Sequence, residues 1–262
     1  FLSGMCEEVA AFAPDIAAFS VWLCNAPLSC RLCTALKKRL PDVFTVFGGP
    51  EAGFNHSHFI TPTENLNAVV RGEGENALLS LAEALSKGGV DAPPPGVLLN
   101  RGGTAVDGGP ALQVADLDTL PFPDFEGFPL KRYTTKLLPV SFNRGCMHNC
   151  AFCNTSVSWK GCRHRSAQSV RAELLRDRSL YGTDTFYFSC PAVNARAGRL
   201  EDFCDLLLDG AEKFSWNGSA FFSEELVPAL FAKMARAGAQ LLDFGLESAS
   251  PRVLKAMGKP FS

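Results

Sequence analysis

The stretch LPVSFNRGCMHNCAFCN, Leu138 to Asn154, places an apolar, strand-forming run directly before three cysteines that fall within eight residues. Cys146, Cys150 and Cys153 have the spacing C-x3-C-x2-C, with Phe152 immediately before the third. Three soft ligands on so short a loop must converge on one object. Thiolates select iron-sulfur clusters, zinc or copper(I), and three protein ligands leave one metal position open for chemistry. A bacterial ferredoxin run has a different spacing and a fourth thiol close by, whereas here the next thiol, Cys162, lies nine residues on. A structural zinc site recruiting Cys162, His148 or His164 is the other bland reading.

Working outward, the loop sits inside a repeating strand-helix pattern. After it, SAQSVRAELLRDRSLYG reads as an amphipathic helix, DTFYFSC as a strand, LEDFCDLLLDGAEKF as a helix, GSAFF as a strand, ELVPALFAKMARAG as a helix and AQLLDFGLES as a strand. This alternation is that of a (β/α) barrel, whose active site lies at the carboxyl ends of the strands. About four units fit, so the barrel is expected to be truncated. Before the loop, DIAAFSV, VFTVFGG and LNAVVRG read as strands separated by helices, the pattern of a parallel α/β sheet. Two of these strands end in Ser20 and in Gly48-Gly49, at the edge where open α/β sheets bind ligands. The fold class expected is therefore α/β: a Rossmann-like (flavodoxin-like) parallel-sheet domain over residues 1–105, a proline- and glycine-punctuated linker over 106–138, and a partial barrel over 139–262.

Composition narrows the class. The 262 residues are 47% hydrophobic and 20% charged, and 25 Lys plus Arg against 27 Asp plus Glu leave a net charge of -2. That balance disfavours a nucleic-acid footprint over the whole surface, while leaving room for a local basic patch. No apolar run has membrane-spanning length, and Glu7 and Glu8 stand where a signal peptide would be basic. Ten cysteines without a signal peptide point to a reducing, cytoplasmic setting and a metal site. A start on Phe1 and an end at KAMGKPFS suggest a segment of a longer protein, lacking the first strand of its first domain and the later barrel strands.

At the cysteine loop the chain resembles the radical S-adenosylmethionine superfamily, whose defining motif is C-x3-C-x2-C with an aromatic before the last cysteine. The resemblance implies a [4Fe-4S] cluster held by Cys146, Cys150 and Cys153 and an S-adenosylmethionine chelated at the fourth iron. One-electron cleavage of that cofactor would yield a 5'-deoxyadenosyl radical. Phe152 would belong to the cofactor surroundings. FYFSCPAVN implies Ser189 and Asn194 near the methionine moiety, and FGLESASPRVLKAMGK implies Glu247 and Ser248 beside the ribose or methionine. In the first half, VFGGPEAGF and VVRGEGENALLSLAEAL resemble the cobalamin-binding domain fused to many such enzymes, which implies Ser20, Gly48 and Gly49 near a bound cobalamin. GEGE lacks the full phosphate-loop pattern and reads as a turn and helix start. The axial-histidine motif Asp-x-His-x-x-Gly does not occur, and His56 and His58 are read as loop residues. Cys30 and Cys33 lie within a helical pattern and are read as core rather than as a redox pair.

The resulting expectation is a cobalamin-binding radical S-adenosylmethionine enzyme, with methyl transfer as the reaction the family suggests. Its partners would be a small-molecule or peptide substrate and a one-electron reductant such as flavodoxin or ferredoxin, without membrane or nucleic acid. The rivals are a methylthiotransferase-like enzyme without cobalamin, carrying a second cluster in its first domain, and a non-enzymatic iron-sulfur or zinc module.

Overall fold

The computed structural model describes residues 2–60 and 65–261. Contacts divide the chain into two units, Phe1–Val114 and Ala115–Ser262. Both are mixed α/β and contain parallel sheet. No helix among the described residues is long and apolar enough to cross a membrane.

In the first unit the order is α1 (Leu2–Phe12), β1 (Ile16–Ser20), α2 (Ala26–Arg39), β2 (Phe44–Gly48), α3 (Pro50–Phe54), α4 (His56–Ile60), β3 (Ala68–Val70), α5 (Gly74–Ser86), β4 (Val97–Arg101) and β5 (Thr104–Asp107). The sheet runs β1-β2-β3-β4-β5. Its first three strands are parallel, and their apolar side chains are covered by the helices: Phe47 and Val69 on one cluster with Phe59, Val46 and Val70 on another with Leu81. The sheet is not wholly parallel, because β4 joins β3 antiparallel and β5 joins β4 antiparallel. NRGGTAVDGG, in which the sequence reading has no strand, is thus a hairpin. Gly102 and Gly103 at φ 61° and 87° make its two-residue turn, which only residues tolerant of positive φ allow, and Asn100 Oδ1 accepts from the Gly103 N–H at 2.8 Å. FNHSHF likewise differs from its reading: both histidines lie in α4, and His56 Nδ1 is 3.3 Å from the Gly53 carbonyl.

The second unit contains β6 (Leu138–Val140), β7 (Asn143–Arg144), α6 (Thr155–Ser158), β8 (Arg163–His164), α7 (Ala167–Tyr181), β9 (Thr185–Phe188), α8 (Ala197–Leu208), β10 (Ser215–Ala220), α9 (Pro228–Arg236), β11 (Ala239–Phe244) and α10 (Pro251–Ala256). Four parallel strands lie in the order β11-β10-β9-β6, the adjacency expected of consecutive barrel strands. Alternate residues of β9 and β10 point to the helices. Phe186, Phe188 and Trp216 pack there with Phe142 from the chain after β6 and Phe203 from α8, and Trp216 donates Nε1–H to the Ala237 carbonyl at 2.9 Å. LPVSFNRG does not continue as one strand. It leaves the sheet after Val140 and re-pairs as β7 with β8, a short strand absent from the sequence reading.

Helix α7 carries two fully buried carboxylates one turn apart. Its start is capped by Ser166, whose Oγ accepts from the Ser169 N–H, and its end by Gly182 in the left-handed region. Glu173 pairs with Arg165, which also donates to the Ser141 carbonyl at 3.1 Å and to Ser169 Oγ at 2.8 Å. Asp177 lies 3.5 Å from Arg176 Nε, and burial pushes its carboxyl up to about 6. A carboxyl raised on folding binds its proton more tightly in the native state, so its contribution to stability is full below about 4 and lost as pH rises through about 6. Asp177→Asn is therefore expected to flatten the fall in stability across that window, read from urea midpoints at a series of pH values.

Candidate functional site

The site is built where β6, β9, β10 and β11 end. Gly145, at φ 81°, turns the chain out of β7, and a Cβ there would lie 1.9 Å from the Gly161 carbonyl oxygen. That contact, with the β7-β8 pairing, closes the ends of the cysteine loop on each other. Within the loop Cys146, Cys150 and Cys153 are half-buried. The His148 N–H donates to Cys146 Sγ at 3.4 Å and the Thr155 N–H to Cys153 Sγ at 3.5 Å. Amide donors on sulfur stabilise thiolate and tune an iron-sulfur centre. Among the described residues no three His, Cys, Asp or Glu side chains are gathered as they would be around one ion. A [4Fe-4S] cluster is held by thiolates that need not meet at one point, and three cysteines on one loop are the donor type it takes.

Two attachments position the loop. On one side the Ala151 N–H donates to the Met257 carbonyl at 2.9 Å, and Gly258 lies against the Asn149 carbonyl. Just beyond, Lys259 Nζ donates to the Gly245 carbonyl at 2.7 Å, pairs with Glu247 Oε1 at 3.4 Å and lies 5.2 Å from the centre of the Phe152 ring. Lys259 thus joins Phe152 to Glu247, two of the residues singled out from the sequence. Glu247 itself sits at φ 63°, a conformation costly for a non-glycine residue and concentrated at functional sites. Ser248 follows it, half-buried, with its Oγ accepting from the Ser250 N–H.

On the other side the His148 ring packs edge-on to Phe221 at 4.5 Å. Phe221 is held by Asn194, which donates to its carbonyl at 2.8 Å and accepts from its N–H at 3.1 Å. Asn194 is 1% exposed, and both ends of its amide are bonded to the Phe221 backbone, which makes it a brace between the two strand ends. Ser189 is exposed at the end of β9, its N–H on the Val140 carbonyl. Burial pushes the His148 imidazole below its ordinary value, and the Lys259 ammonium adds to this.

Cys162 and His164 form a pair at the loop's far end, Sγ to Nε2 3.3 Å, with Asn143 Nδ2 3.7 Å from the same sulfur. Burial raises the thiol and lowers the imidazole, which favours the neutral pair with S–H donating to nitrogen. Cys162 and His164 are two candidates of the zinc reading, whereas nothing in the spacing of Lys259 or Phe221 marks them in the sequence; only the fold brings those two to the loop.

In the first unit Ser20, Gly48 and Gly49 do meet at the carboxyl ends of β1 and β2. A Cβ on Gly49, at φ 89°, would be 2.8 Å from the Val21 carbonyl oxygen and 3.4 Å from Ser20 Oγ, so close chain packing by itself requires this glycine. Ser20 is exposed, and beside it Trp22 and Leu23 present large apolar side chains to solvent. A hydroxyl beside apolar surface at such a strand end suits a cofactor with both apolar and polar parts. Cys33 is buried with its thiol 3.5 Å from the Asn65 carbonyl, as a core residue.

Residues 140–262 match the Radical SAM superfamily profile. Over 264 residues the chain is 28% identical to the uncharacterized methyltransferase PH0819 of Pyrococcus horikoshii, covering 98% of this chain and 57% of that protein. Among solved structures it superposes on the cobalamin-dependent S-adenosylmethionine radical enzyme OxsB, bound to aqua-cobalamin and S-adenosylmethionine, with a TM-score of 0.85 at 22% identity, over 100% of this chain and 39% of that one. The radical S-adenosylmethionine methyltransferase TsrM of Kitasatospora setae, with cobalamin and a [4Fe-4S] cluster, gives 0.82 at 19% identity, over 98% and 56%. The chain spans about half the length of the curated relatives it matches.

Because Gly145 admits no Cβ while Gly161 has open space around one, Gly145→Ala is expected to lose iron on anaerobic reconstitution. Gly161→Ala should keep it at a stability cost of about 1–2 kcal/mol for its positive φ. Iron analysis and urea titration of both variants read the contrast.

Proposed function

From a radical SAM domain over residues 140–262, we propose that the protein is part of a cobalamin-dependent radical S-adenosylmethionine enzyme that transfers a methyl group to a small-molecule or peptide substrate. The observation that carries this reading is the cysteine loop, pinned at the carboxyl ends of four parallel strands, with amide donors already on two of its three sulfurs. When bound, a [4Fe-4S] cluster supplies the electron that cleaves S-adenosylmethionine to a 5'-deoxyadenosyl radical.

Cys146, Cys150 and Cys153 would hold the cluster. Phe152, between two of these ligands, would belong to its surroundings, and Lys259 fixes the ring and the Glu247 carboxylate relative to each other. Glu247 and Ser248 after β11, with Ser189 at the end of β9, would orient S-adenosylmethionine through hydrogen bonds to its ribose and amino-acid groups. Asn194, braced on Phe221, positions the loop through His148. The first unit we read as a Rossmann-like cobalamin-binding domain, with Ser20, Gly48 and Gly49 facing the cofactor. PH0819, named a methyltransferase, and the cobalamin- and cluster-bound TsrM support this reading by likeness.

Anaerobic reconstitution of the full-length parent with iron, sulfide and hydroxocobalamin tests it. Electron paramagnetic resonance should show a [4Fe-4S]+ signal that shifts on adding S-adenosylmethionine, in protein retaining cobalamin. An unmoved signal would sink the radical reading, and cobalamin that washes away would sink the assignment of the first unit. Cys150→Ala should lose the cluster and Cys162→Ala keep it; loss of metal from the latter would favour a closed four-ligand module.

A further inference from the structure

At the amino ends of β6 and β9, the opposite end of these strands from the cysteine loop, the second unit holds a cavity of about 430 Å3. That volume is in the range of small-molecule sites. One wall is the start of β6, at Leu138 and Pro139; a second is the end of α7, at Tyr181 and Gly182; the third is the chain from Phe125 to Lys136 that leads into the strand. None of the lining residues belongs to the cysteine loop, the braces around it or the first unit.

Hydrogen bonds fix these walls to one another. Tyr181 Oη accepts from the Phe125 N–H at 2.9 Å and donates to Asp124 Oδ1 at 2.8 Å, and Thr183 Oγ1 donates to the Lys136 carbonyl at 3.1 Å. The Phe125 ring stands edge-on to Tyr181 and to Phe128, with ring centres 5.7 and 6.1 Å apart. Rings set in this way offer both edges and faces to a flat apolar guest. Phe128 and Tyr133 border the cavity and are each 54% exposed. Packing within the unit leaves both rings half in water, and a guest in the cavity would cover them.

The charge on the lining has one sign. Lys131 and Lys136 border the cavity, and no aspartate or glutamate does. Among the described residues neither lysine enters an ion pair. The carboxylates close by in the chain do not offset them: Asp124 accepts from the Tyr181 hydroxyl and the Glu126 N–H, Asp184 accepts from the Thr185 hydroxyl, and Glu126 is exposed outside the lining. The guest that complements this lining is an anion with an apolar body. Lysine acts as a point charge rather than as a guanidinium fork, so it selects for charge without demanding a bidentate fit.

We propose that this cavity binds an aromatic carboxylate, its ring system against Phe125, Phe128 and Tyr181 and its carboxylate held by Lys131 and Lys136. Binding there needs neither cluster nor cobalamin, and it stands apart from the radical reading of the cysteine loop.

Isothermal titration calorimetry of the full-length parent tests this, with 2-naphthoate as the anion and 2-naphthamide as its neutral counterpart. The parent is expected to bind the anion about tenfold more tightly than the amide, and added salt should weaken only the anion. Lys131→Glu/Lys136→Glu should lose about tenfold for 2-naphthoate and leave 2-naphthamide as in the parent. Lys131→Arg/Lys136→Arg should keep the anion. Phe128→Ala, which removes a half-exposed ring, should weaken both ligands about threefold. Equal affinity of the parent for the two ligands would overturn the proposal without recourse to any variant. Undiminished 2-naphthoate binding in the charge-reversed variant would also overturn it, as would competition between 2-naphthoate and S-adenosylmethionine, which would place the anion at the cysteine loop. No binding of 2-naphthoate by the parent would overturn it as well and assign the cavity to cover by the rest of the longer chain.

Discussion

The approach of Gly145 to Gly161 is the constraint on which the site depends. Between these two glycines the chain carries all three clustered cysteines, and it could not return to its starting point if either backbone stood further off. Closing such a loop costs entropy that grows slowly with length, so the closure has to be held by something beyond the loop itself. The β7-β8 pairing provides part of that hold, and Arg165 provides more: from the residue after β8 it reaches the Ser141 carbonyl beside β6 and the buried Glu173 of α7. One cation thereby ties the return strand, the outgoing strand and α7 together. The buried pairing is also demanding, since removing Glu173 would leave that guanidinium without its charge partner in the interior.

Much of this architecture is legible in the sequence because it rests on periodicity. The parallel strand β9 and the helices α7, α8 and α9 follow the spacing of Val170, Leu174, Phe186, Phe188, Leu200, Phe203, Leu230 and Met234, all buried. Where the reading departs from the structure, backbone freedom rather than side-chain pattern decides. Gly102 and Gly103, as a two-residue turn, make a hairpin that extends the first sheet. The two-residue strands β7 and β8 are too short for any pattern to show. The cysteine spacing marks the centre of the site, while Lys259 and Phe221 escape notice because their roles come from contacts across the fold. Asn194 stands out as a polar residue after a strand, but its neighbours turn it into a brace.

Glycine carries two meanings in the first unit as well. Gly48 and Gly49 fit the resemblance to a cofactor-binding strand end, and Gly49 is also required by the Val21 backbone lying against it. A motif that the fold needs for its own packing persists whether or not a ligand is bound. Ser20 and the exposed Trp22 and Leu23 are therefore the more telling residues there, because packing within the unit does not account for them.

The braces around the cysteine loop have a mechanical consequence. Asn194, from the chain after β9, grips Phe221 after β10, whose ring meets His148; Lys259 grips Gly245 and Glu247 after β11 and lies over Phe152. Three neighbouring strand ends are thus yoked to two points on one loop. A displacement of the loop is transmitted to all of them, and stiffening any one stiffens the rest. Assembly of a metal centre in the loop would in that way set the rigidity of the whole rim, including residues that never touch it.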